Sequence, residues 1–261
     1  MTTPRITLFI IAHNEEAKLA KCILSTKGLV HEVIVVNDRS QDRTEEIARE
    51  LGAIVFSRDF DGFANQKNFA LSKVNGDWAL NLDADETLSP ALKEEIRRTV
   101  QNTPHSGFNI PFSNYFLGKK MNHSGLNKEH HLRLVRTKNA HYVGGLVHEG
   151  LEVKGTVGNL KNAINHYSYD SIETYFRKLN HYTSLAAEQM YKNGRKFSLP
   201  FVLITIPFEF LKRYLLKLGV LDGIHTAIIW KSIVTGLLGL CLQWIIIPLA
   251  LYRTGEKNEK E

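Results

Sequence analysis

The stretch that decides the fold runs from Trp78 to Glu86 and reads WALNLDADE. Its first five residues form a short, mostly apolar run, which is typical of a strand buried inside a sheet. Three acidic residues, Asp83, Asp85 and Glu86, stand at the end of this run. A buried strand that ends in carboxylates predicts a ligand site at the edge of the sheet.

Segments with the patterns of strands and helices alternate upstream of this stretch. Apolar and β-branched runs predict strands at 6–12, 33–37, 54–57 and 78–82. Helical segments are predicted at 15–28, 42–51 and 62–72, with another from Ser89-Pro90, and Asp42 to Glu45 resembles a capping box. This alternation predicts an α/β fold with a mostly parallel sheet flanked by helices.

Three predicted strands end in polar residues. The first runs into His13-Asn14-Glu15-Glu16, the second into Asn37-Asp38, and the fourth into Asp83-Ala84-Asp85. Because the carboxyl ends of parallel strands meet at one edge of a sheet, we expect these side chains to converge.

The Asp83 and Asp85 pair has the spacing of a cation site. In an extended chain the two side chains would share one face, about 6.6 Å apart along the strand. Oxygen ligands without cysteine suit Mg²⁺ or Mn²⁺. The alternative is structural, because acidic residues are also favoured in the turn that leads into a helix such as the one expected at Pro90.

Charge is distributed unevenly along the chain. The 261 residues carry a net charge of +6, of which residues 1–100 contribute −3 and residues 101–261 contribute +9. This asymmetry indicates a cation site in the first part and an anionic partner for the second. Apolar residues make up 43% and charged residues 23%, which excludes a disordered chain. Two distant cysteines exclude a disulfide framework and fit a reducing compartment.

The C-terminal part carries a membrane-like signal. The 21 residues from Ser232 to Tyr252 contain no formal charge, and residues 199–211 are a shorter apolar run that precedes Lys212, Arg213 and Lys217. We expect a helical, membrane-associating segment that either spans the bilayer or lies in its plane. The alternative is a buried helical hairpin or a dimer interface.

Three stretches together resemble a known family. They are IIAHNEE (10–16), VIVVNDRSQDRT (33–44) and NQKNFALSKVNGDWALNLDADE (65–86). They resemble the opening motifs of the family-2 glycosyltransferases of the GT-A (nucleotide-diphospho-sugar transferase) fold, and among these the lipopolysaccharide inner-core glucosyltransferases. The resemblance is strong to Glu86 and looser to about Gly194.

The resemblance implies roles for residues that bind the donor, a nucleotide sugar. Asp38 would contact the uracil or ribose, with Ala12 and Glu15 against the nucleoside. Lys67 stands where the family often has an arginine near the diphosphate. Asn37 departs from the pattern, since many members carry a second aspartate there.

The resemblance also implies a metal site. Asp83 and Asp85 match the family's Asp-x-Asp pair, with Asp83 on the donor and Asp85 as the direct ligand of Mg²⁺ or Mn²⁺. His166 would complete the site, as a C-terminal histidine often does in GT-A enzymes. A structural histidine is the alternative.

The acceptor side of the predicted site centres on residues 144–149, which read GGLVHE. Glu149 is the candidate general base, and His148 is a positioning or packing residue. Arg133 and Arg136 are candidates to bind a phosphorylated acceptor or the leaving diphosphate, because arginine binds such oxyanions in a planar fork. Surface salt bridges are the structural alternative for Glu149.

Together these interpretations predict a metal-dependent, inverting glycosyltransferase. It would move a hexose, glucose from UDP-glucose, onto a lipid-linked glycan at the cytoplasmic face of the inner membrane. Residues 1–104 would bind the donor, 105–194 the acceptor and 195–252 the membrane surface, with 253–261 as a disordered tail. The alternatives are a polyprenyl-phosphate sugar synthase and a non-catalytic membrane adaptor. We expect no nucleic acid partner, since no recognisable basic and aromatic module is present.

Overall fold

The computed structural model describes residues 3–123, 125, 129–144, 149–192, 199–226 and 228–229. The first hundred residues alternate between strands and helices, as the sequence predicts. The elements are β1 (Ile6–Ala12), α1 (Leu19–Ser25), β2 (Glu32–Asn37), α2 (Thr44–Glu50), β3 (Ile54–Ser57), α3 (Phe63–Ser72), β4 (Trp78–Asn81), β5 (Glu86–Leu88) and α4 (Pro90–Thr99).

The later part of the chain contains more strands than the sequence patterns predict. The strands are β6 (Gly107–Phe116), β7 (Lys119–Lys120), β8 (His130–Arg136), β9 (Ala140–Gly144), β10 (Glu149–Val153), β11 (Val157–Asn159) and β12 (Ile164–Tyr169). They are followed by α5 (Ile172–Lys192), α6 (Leu199–Phe210), a π-helical turn (Leu211–Leu216) and a 3₁₀ turn (Gly219–Asp222).

Most described strands form one mixed sheet in the order β3-β2-β1-β4-β8-β6-β12-β5, with β7 and β11 paired to β6. The strands β1 to β4 are parallel, as expected, but β8 runs antiparallel to both β4 and β6. The expectation of a mostly parallel sheet was therefore wrong for the second half. Antiparallel neighbours such as β6 and β8 need no crossover connection, which parallel neighbours require.

Strand β1 lies at the centre of the parallel part and is buried on both faces. Leu8 and Ile10 point into one hydrophobic cluster, together with Trp78, whereas Phe9 points into the other, together with Ile34. This alternation follows from the two-residue period of a strand. Residues of β1, β2 and β4 contribute to both clusters, and the carboxyl ends of these parallel strands lie at one edge of the sheet.

The sequence signals for the start of a helix were confirmed for α4 and not for α2. Ser89 caps α4, where its Oγ accepts a hydrogen bond from the Leu92 N–H at 3.2 Å, and Pro90 occupies the first turn. The capping box at Asp42 was wrong. The Asp42 carboxylate instead accepts from the N–H and hydroxyl of Thr44 and from the N–H of Glu16, which ties two loops together.

The chain divides into two compact units, one of residues 1–114 and 127–168, the other of residues 115–126 and 169–261. In the second unit, Phe116, Met121 and Tyr175 form a small core with aromatic edge contacts. Among the described residues, no helix has both the length and the apolar character required to cross a bilayer. The segment 232–252 and the tail 253–261 lie outside the described residues.

Candidate active site

The carboxyl ends of β1 and β2 are joined directly. The Asp38 N–H donates to the Ala12 carbonyl at 2.9 Å, and the Asp38 carboxylate accepts from the Phe60 N–H at 3.1 Å. The second carboxylate oxygen lies 3.5 Å from His13 Nδ1. Asp38 is therefore held at the sheet edge beside Ala12, and its carboxylate is still partly exposed.

The hydrogen bonds of Asn37 explain why an amide, and not a carboxylate, stands directly before Asp38. Its Nδ2 donates to Glu45 Oε2 at 2.8 Å, and its Oδ1 accepts from the Ser40 hydroxyl at 2.6 Å. An aspartate at this position would set two carboxylates against each other, because only an amide can donate to Glu45. Asn37 is thus used to hold the loop that follows β2.

Glu15 lies in the loop after β1, beside the loop that follows β2. Its N–H donates to Thr44 Oγ1 at 2.7 Å, and its carbonyl accepts from the N–H of Lys18 and Leu19, which starts α1. The structure therefore brings Ala12, Glu15 and Asp38 to one edge, as the sequence predicts.

Asp83 and Asp85 do not share a face, because the chain turns directly after β4. The Glu86 N–H donates to the Asp83 carbonyl at 2.9 Å, and the Asp83 N–H donates back to Glu86 Oε2 at 3.0 Å. This reciprocal pair closes a tight turn over residues 83–86. The extended spacing expected from the sequence was wrong, and each aspartate faces different partners.

Asp83 is held between two cations. Its Oδ1 lies 3.2 Å from Lys67 Nζ, and its Oδ2 accepts from Arg133 at 2.8 Å. Lys67 is 3% exposed, whereas the Asp83 side chain keeps 37% of its surface accessible. Burial acts to raise the pKa of Asp83, but Arg133 and Lys67 outweigh it and hold that pKa well below its usual range.

Glu86 is the most deeply buried carboxylate of this cluster, at 1% exposure. Its Oε1 accepts from Arg133 at 2.5 Å. Burial is the main cause that raises the pKa of Glu86 to about 8; Arg133 opposes the shift, and the charge of Asp83 adds to it. Its role in the turn was missed from the sequence, although it ends the DADE stretch.

Arg133 connects β8 to the end of β4. Besides the two carboxylates it donates to Asn81 Oδ1 at 2.7 Å, and Asn81 Oδ1 also accepts from the Tyr142 hydroxyl at 2.9 Å. Its two terminal nitrogens therefore donate to protein acceptors, whereas its Nε is buried without a hydrogen-bond partner. It forms an ion pair with Asp83 and a hydrogen bond with Glu86, and its binding of a phosphorylated acceptor or diphosphate stays a prediction.

Asp85 faces His166 on the far side of the turn. Asp85 Oδ1 lies 3.6 Å from His166 Nε2, and the Tyr167 N–H donates to the Asp85 carbonyl at 2.9 Å. The other ring nitrogen of His166 lies 2.9 Å from Asn114 Oδ1. Burial lowers the pKa of His166, but Asp85 outweighs this effect, with smaller contributions from Glu86 and Asp83, so that the pKa is raised.

The remaining sequence-predicted residues lie elsewhere or outside the described part. Arg136 pairs with Trp78 at the opposite end of β4, where it donates to backbone carbonyls and covers the indole ring. Glu149 starts β10, and its backbone pairs with Gly144 of β9. His148 and the side chain of Glu149 fall outside the described residues.

The donor set of Asp85 and His166 fits a hard divalent ion that also binds substrate. Within the described residues no group of three His, Cys, Asp or Glu side chains is placed to hold a metal alone. A carboxylate and an imidazole 3.6 Å apart supply two ligands, and Mg²⁺ commonly takes one or two carboxylates together with substrate phosphates. These two residues therefore fit a metal ion whose remaining ligands come from the substrate, and not one that is enclosed by protein ligands alone.

Three comparisons bear on identity. The family model described as glycosyl transferase family 2 matches residues 7–149. An uncharacterized glycosyltransferase of Rickettsia typhi is 34% identical, over 82% of this chain and 77% of its own length. The lipopolysaccharide core biosynthesis glycosyltransferase LpsC of Rhizobium meliloti is 30% identical, over 80% of each chain.

Solved structures of similar shape were also found. S. aureus TarS 1–349 has a TM-score of 0.49 at 13% identity and covers 96% of this chain and 92% of that chain. Glucosyl-3-phosphoglycerate synthase of Mycobacterium tuberculosis, solved with Mn²⁺, UDP and its product, has a TM-score of 0.46 at 17% identity. That match covers 75% of this chain and 82% of that chain.

The family match takes in every element of the site up to β10. It begins in β1, includes the turn at Asp83 to Glu86 and ends at Glu149. The two relatives extend the likeness over most of the chain. The chain is a glycosyltransferase, and it belongs to glycosyl transferase family 2.

Proposed function

We propose that this enzyme is a metal-dependent, inverting glycosyltransferase that moves a hexose from a nucleotide sugar onto a lipid-linked glycan. The donor is UDP-glucose, and the acceptor is of the lipopolysaccharide inner-core class, at the cytoplasmic face of the inner membrane. The observation that carries the proposal is the Asp85 and His166 pair at the same edge as Asp38 and Asp83. The named function of LpsC supports the acceptor class.

The donor lies across the carboxyl end of β1. Asp38 follows β2 and Asp83 follows β4, on either side of β1. Two strand spacings separate them laterally by about 9.6 Å, which suits a nucleoside at one end and a diphosphate at the other. Asp38, Ala12 and Glu15 bind the nucleoside, Asp83 keeps an accessible carboxylate toward the donor, and Lys67 adds positive charge.

Asp85 and His166 would hold Mg²⁺ or Mn²⁺. When bound, the ion would supply positive charge that stabilises the leaving UDP. Asn114 orients the His166 ring, because its amide oxygen lies at hydrogen-bond distance from Nδ1 and leaves Nε2 toward Asp85. Arg133 and Glu86 hold the 83–86 turn and therefore the position of Asp85.

Glu149 is the general base in this proposal. It accepts the proton of the acceptor hydroxyl as the oxygen attacks the anomeric carbon, so that the configuration inverts. Residues 105–194 form the acceptor side and 195–252 keep the enzyme near its lipid substrate. Arg133 acts by balancing charge rather than by binding the acceptor.

The test is a transfer assay with Asp85→Asn as the variant and Glu94→Gln as the control. Glu94 is an exposed carboxylate of α4 that pairs with Arg97 and Arg98, so its loss leaves the site intact. Each protein is incubated with a panel of nucleotide sugars, Mn²⁺ and a lipid extract, with mass detection of the products. We expect Asp85→Asn to lose transfer and Mn²⁺-linked UDP binding and to stay folded, as judged by circular dichroism.

Three results would overturn the proposal. If Asp85→Asn transferred the sugar at the wild-type rate, Asp85 would not be a metal ligand. Transfer by the wild type only to polyprenyl phosphate would identify a polyprenyl-phosphate sugar synthase instead. Absence of metal-linked UDP binding in the wild-type protein would overturn the metal dependence.

A further inference from the structure

The second unit exposes an unusual amount of apolar surface over a short length of chain. Fifteen large hydrophobic side chains are exposed in the described part, and nine of them fall between residues 204 and 224. Phe208 is 60% exposed and Leu216 is 79% exposed. Scattered exposed hydrophobic residues are normal, but a contiguous group marks a site of interaction.

The first four of these side chains lie on one helical stripe. Ile204 and Phe208 belong to α6, and Leu211 and Leu215 belong to the π-helical turn that continues it. Their spacing of four, three and four residues puts all four on the same face. The stripe is therefore a continuous apolar face about three turns long.

The apolar surface continues around the turn that follows. The exposed side chains there are those of Leu216, Leu218, Val220, Leu221 and Ile224. The turn has a built anchor, since the buried Asp222 carboxylate accepts from the N–H of Asn122 at 3.2 Å and of His123 at 2.9 Å. The apolar side chains are thus displayed on an ordered loop. We define the docking face as these five residues with the four of the stripe.

Basic side chains accompany the docking face. Lys212 and Arg213 share one carboxylate, Glu209, which leaves one positive charge in excess. Lys119 donates to the Asp222 carbonyl at 2.9 Å, at the base of the exposed turn. Lys217 is exposed within the turn itself. Apolar side chains fringed by cations match the chemistry of an anionic bilayer surface.

We propose that the docking face binds the surface of a membrane that contains anionic lipid. Leucine, isoleucine and phenylalanine side chains enter the headgroup and acyl boundary, and Lys119, Lys212, Arg213 and Lys217 lie at headgroup level. This proposal deepens the proposed function, because a lipid-linked acceptor is reached only from the bilayer surface. A second copy of the chain fits less well, since a twofold interface would bring the same basic fringe against itself.

The test is sedimentation of the full-length protein with vesicles. The variant Phe208→Ser/Leu211→Ser/Leu215→Ser removes exposed side chains and therefore little core. The matched control, Leu24→Ser/Ile54→Ser, removes equally exposed side chains from the first unit. Vesicles of phosphatidylcholine alone are compared with vesicles that also contain phosphatidylglycerol. UDP titration of each protein reports on the donor site independently.

We expect the wild type and the control to bind anionic vesicles, and the triple variant to lose roughly tenfold or more in partition coefficient with UDP binding unchanged. Lys217→Glu should weaken binding to anionic vesicles by at least about fivefold, without effect on neutral ones. If the triple variant and the wild type bound anionic vesicles equally, the docking face would be overturned. Membrane binding would then be assigned to residues 230–261. A wild-type dimer that the triple variant dissociates, without vesicle binding, would make a second copy the occupant. If the wild type did not bind UDP, that result would instead count against the proposed function.

Discussion

Asn114 Oδ1 lies 2.9 Å from His166 Nδ1, while the opposite nitrogen of the same ring lies 3.6 Å from Asp85. The amide orientation is set by Glu129, whose carboxylate faces Asn114 Nδ2 at 3.5 Å and can only accept. The amide oxygen therefore faces the ring, and Nδ1 carries the hydrogen. Nε2 faces Asp85, and the Ser168 hydroxyl also lies 3.2 Å from Nδ1 and 3.3 Å from Nε2.

The first prediction concerns Asn114→Ala. We expect a loss of about 10- to 100-fold in Mn²⁺ affinity, measured by calorimetry in the presence of UDP, because the His166 ring loses its shortest hydrogen-bond partner and keeps only Ser168 and Asp85. Asn109→Ala is the control on the same strand, where the amide bonds only to Asn159 near the surface. An unchanged Mn²⁺ affinity in Asn114→Ala would show that the ring is oriented without it.

The second prediction concerns the Arg133 and Glu86 contact. Arg133→Met removes the guanidinium from both Asp83 and Glu86, and breaking a buried ion pair such as Arg133 with Asp83 costs about 3–5 kcal/mol. The cost should be smaller at pH 5, where Glu86 can be protonated because burial already raises its pKa. Urea unfolding at pH 5 and pH 8 measures both values.

The double variant Arg133→Met/Glu86→Gln completes that measurement. We expect it to recover part of the lost stability, since the uncompensated carboxylate is gone. Equal destabilisation by the single and double variants would mean that Arg133 acts through Asp83 and Asn81 instead.

The third prediction is the pH dependence of stability. The pKa of Glu86 in the folded protein is raised to about 8, above its value in the unfolded chain. Between these two pKa values the folded state binds more protons than the unfolded state. The free energy of unfolding therefore falls as the pH rises from the unfolded pKa to the folded one. One group contributes a slope of at most ~1.4 kcal/mol per pH unit. Glu86→Gln should flatten the fall in unfolding free energy between pH 5 and 8. Parallel curves for the two proteins would contradict this.

The titration of Asp83 changes the free energy of unfolding in the opposite direction to that of Glu86. Its folded pKa is depressed by Arg133 and Lys67, so its contribution to stability is present above the ordinary aspartate pKa and is lost as pH falls through acid. Asp83→Asn should therefore destabilise the protein at neutral pH and have less effect in strong acid. Chemical unfolding at pH 7 and pH 3 tests the sign.

The fourth prediction concerns Glu149→Gln. If Glu149 is the base, transfer should fall by about 10²–10⁴-fold with UDP affinity unchanged, since a glutamine cannot accept the proton. Single-turnover transfer and UDP titration are the two measurements. Wild-type transfer by this variant would exclude the assignment, and lost UDP binding would place Glu149 at the donor.

The sheet edge was predictable because its signals are local. The run at 33–37 and the stretch at 78–82 are apolar and end in polar residues, and parallel strands place such ends together. The partners of those carboxylates were not predictable. Arg133 is 50 residues from Asp83 along the chain, and nothing in the pattern of β8 indicates that it turns toward β4.

Other parts of the site were missed for physical reasons. The 83–86 turn depends on hydrogen bonds between Asp83 and Glu86, which compete with the extended form that the apolar run suggests. Tyr142 lies on a short strand, β9, whose pairing with β10 has no strong sequence signal. Asn114 lies near the end of β6, where polar residues interrupt the apolar pattern of the strand.

The place of β8 between β4 and β6 limits how far the protein can be shortened. A fragment that ends at residue 104 would leave β4 with an unpaired inner edge and Asp83 and Glu86 without their guanidinium. Such a fragment would be prone to aggregate, since exposed strand edges recruit other chains. The smallest piece that keeps the proposed nucleotide site must therefore continue through Arg136, although the residues proposed to contact the nucleotide all precede Glu86.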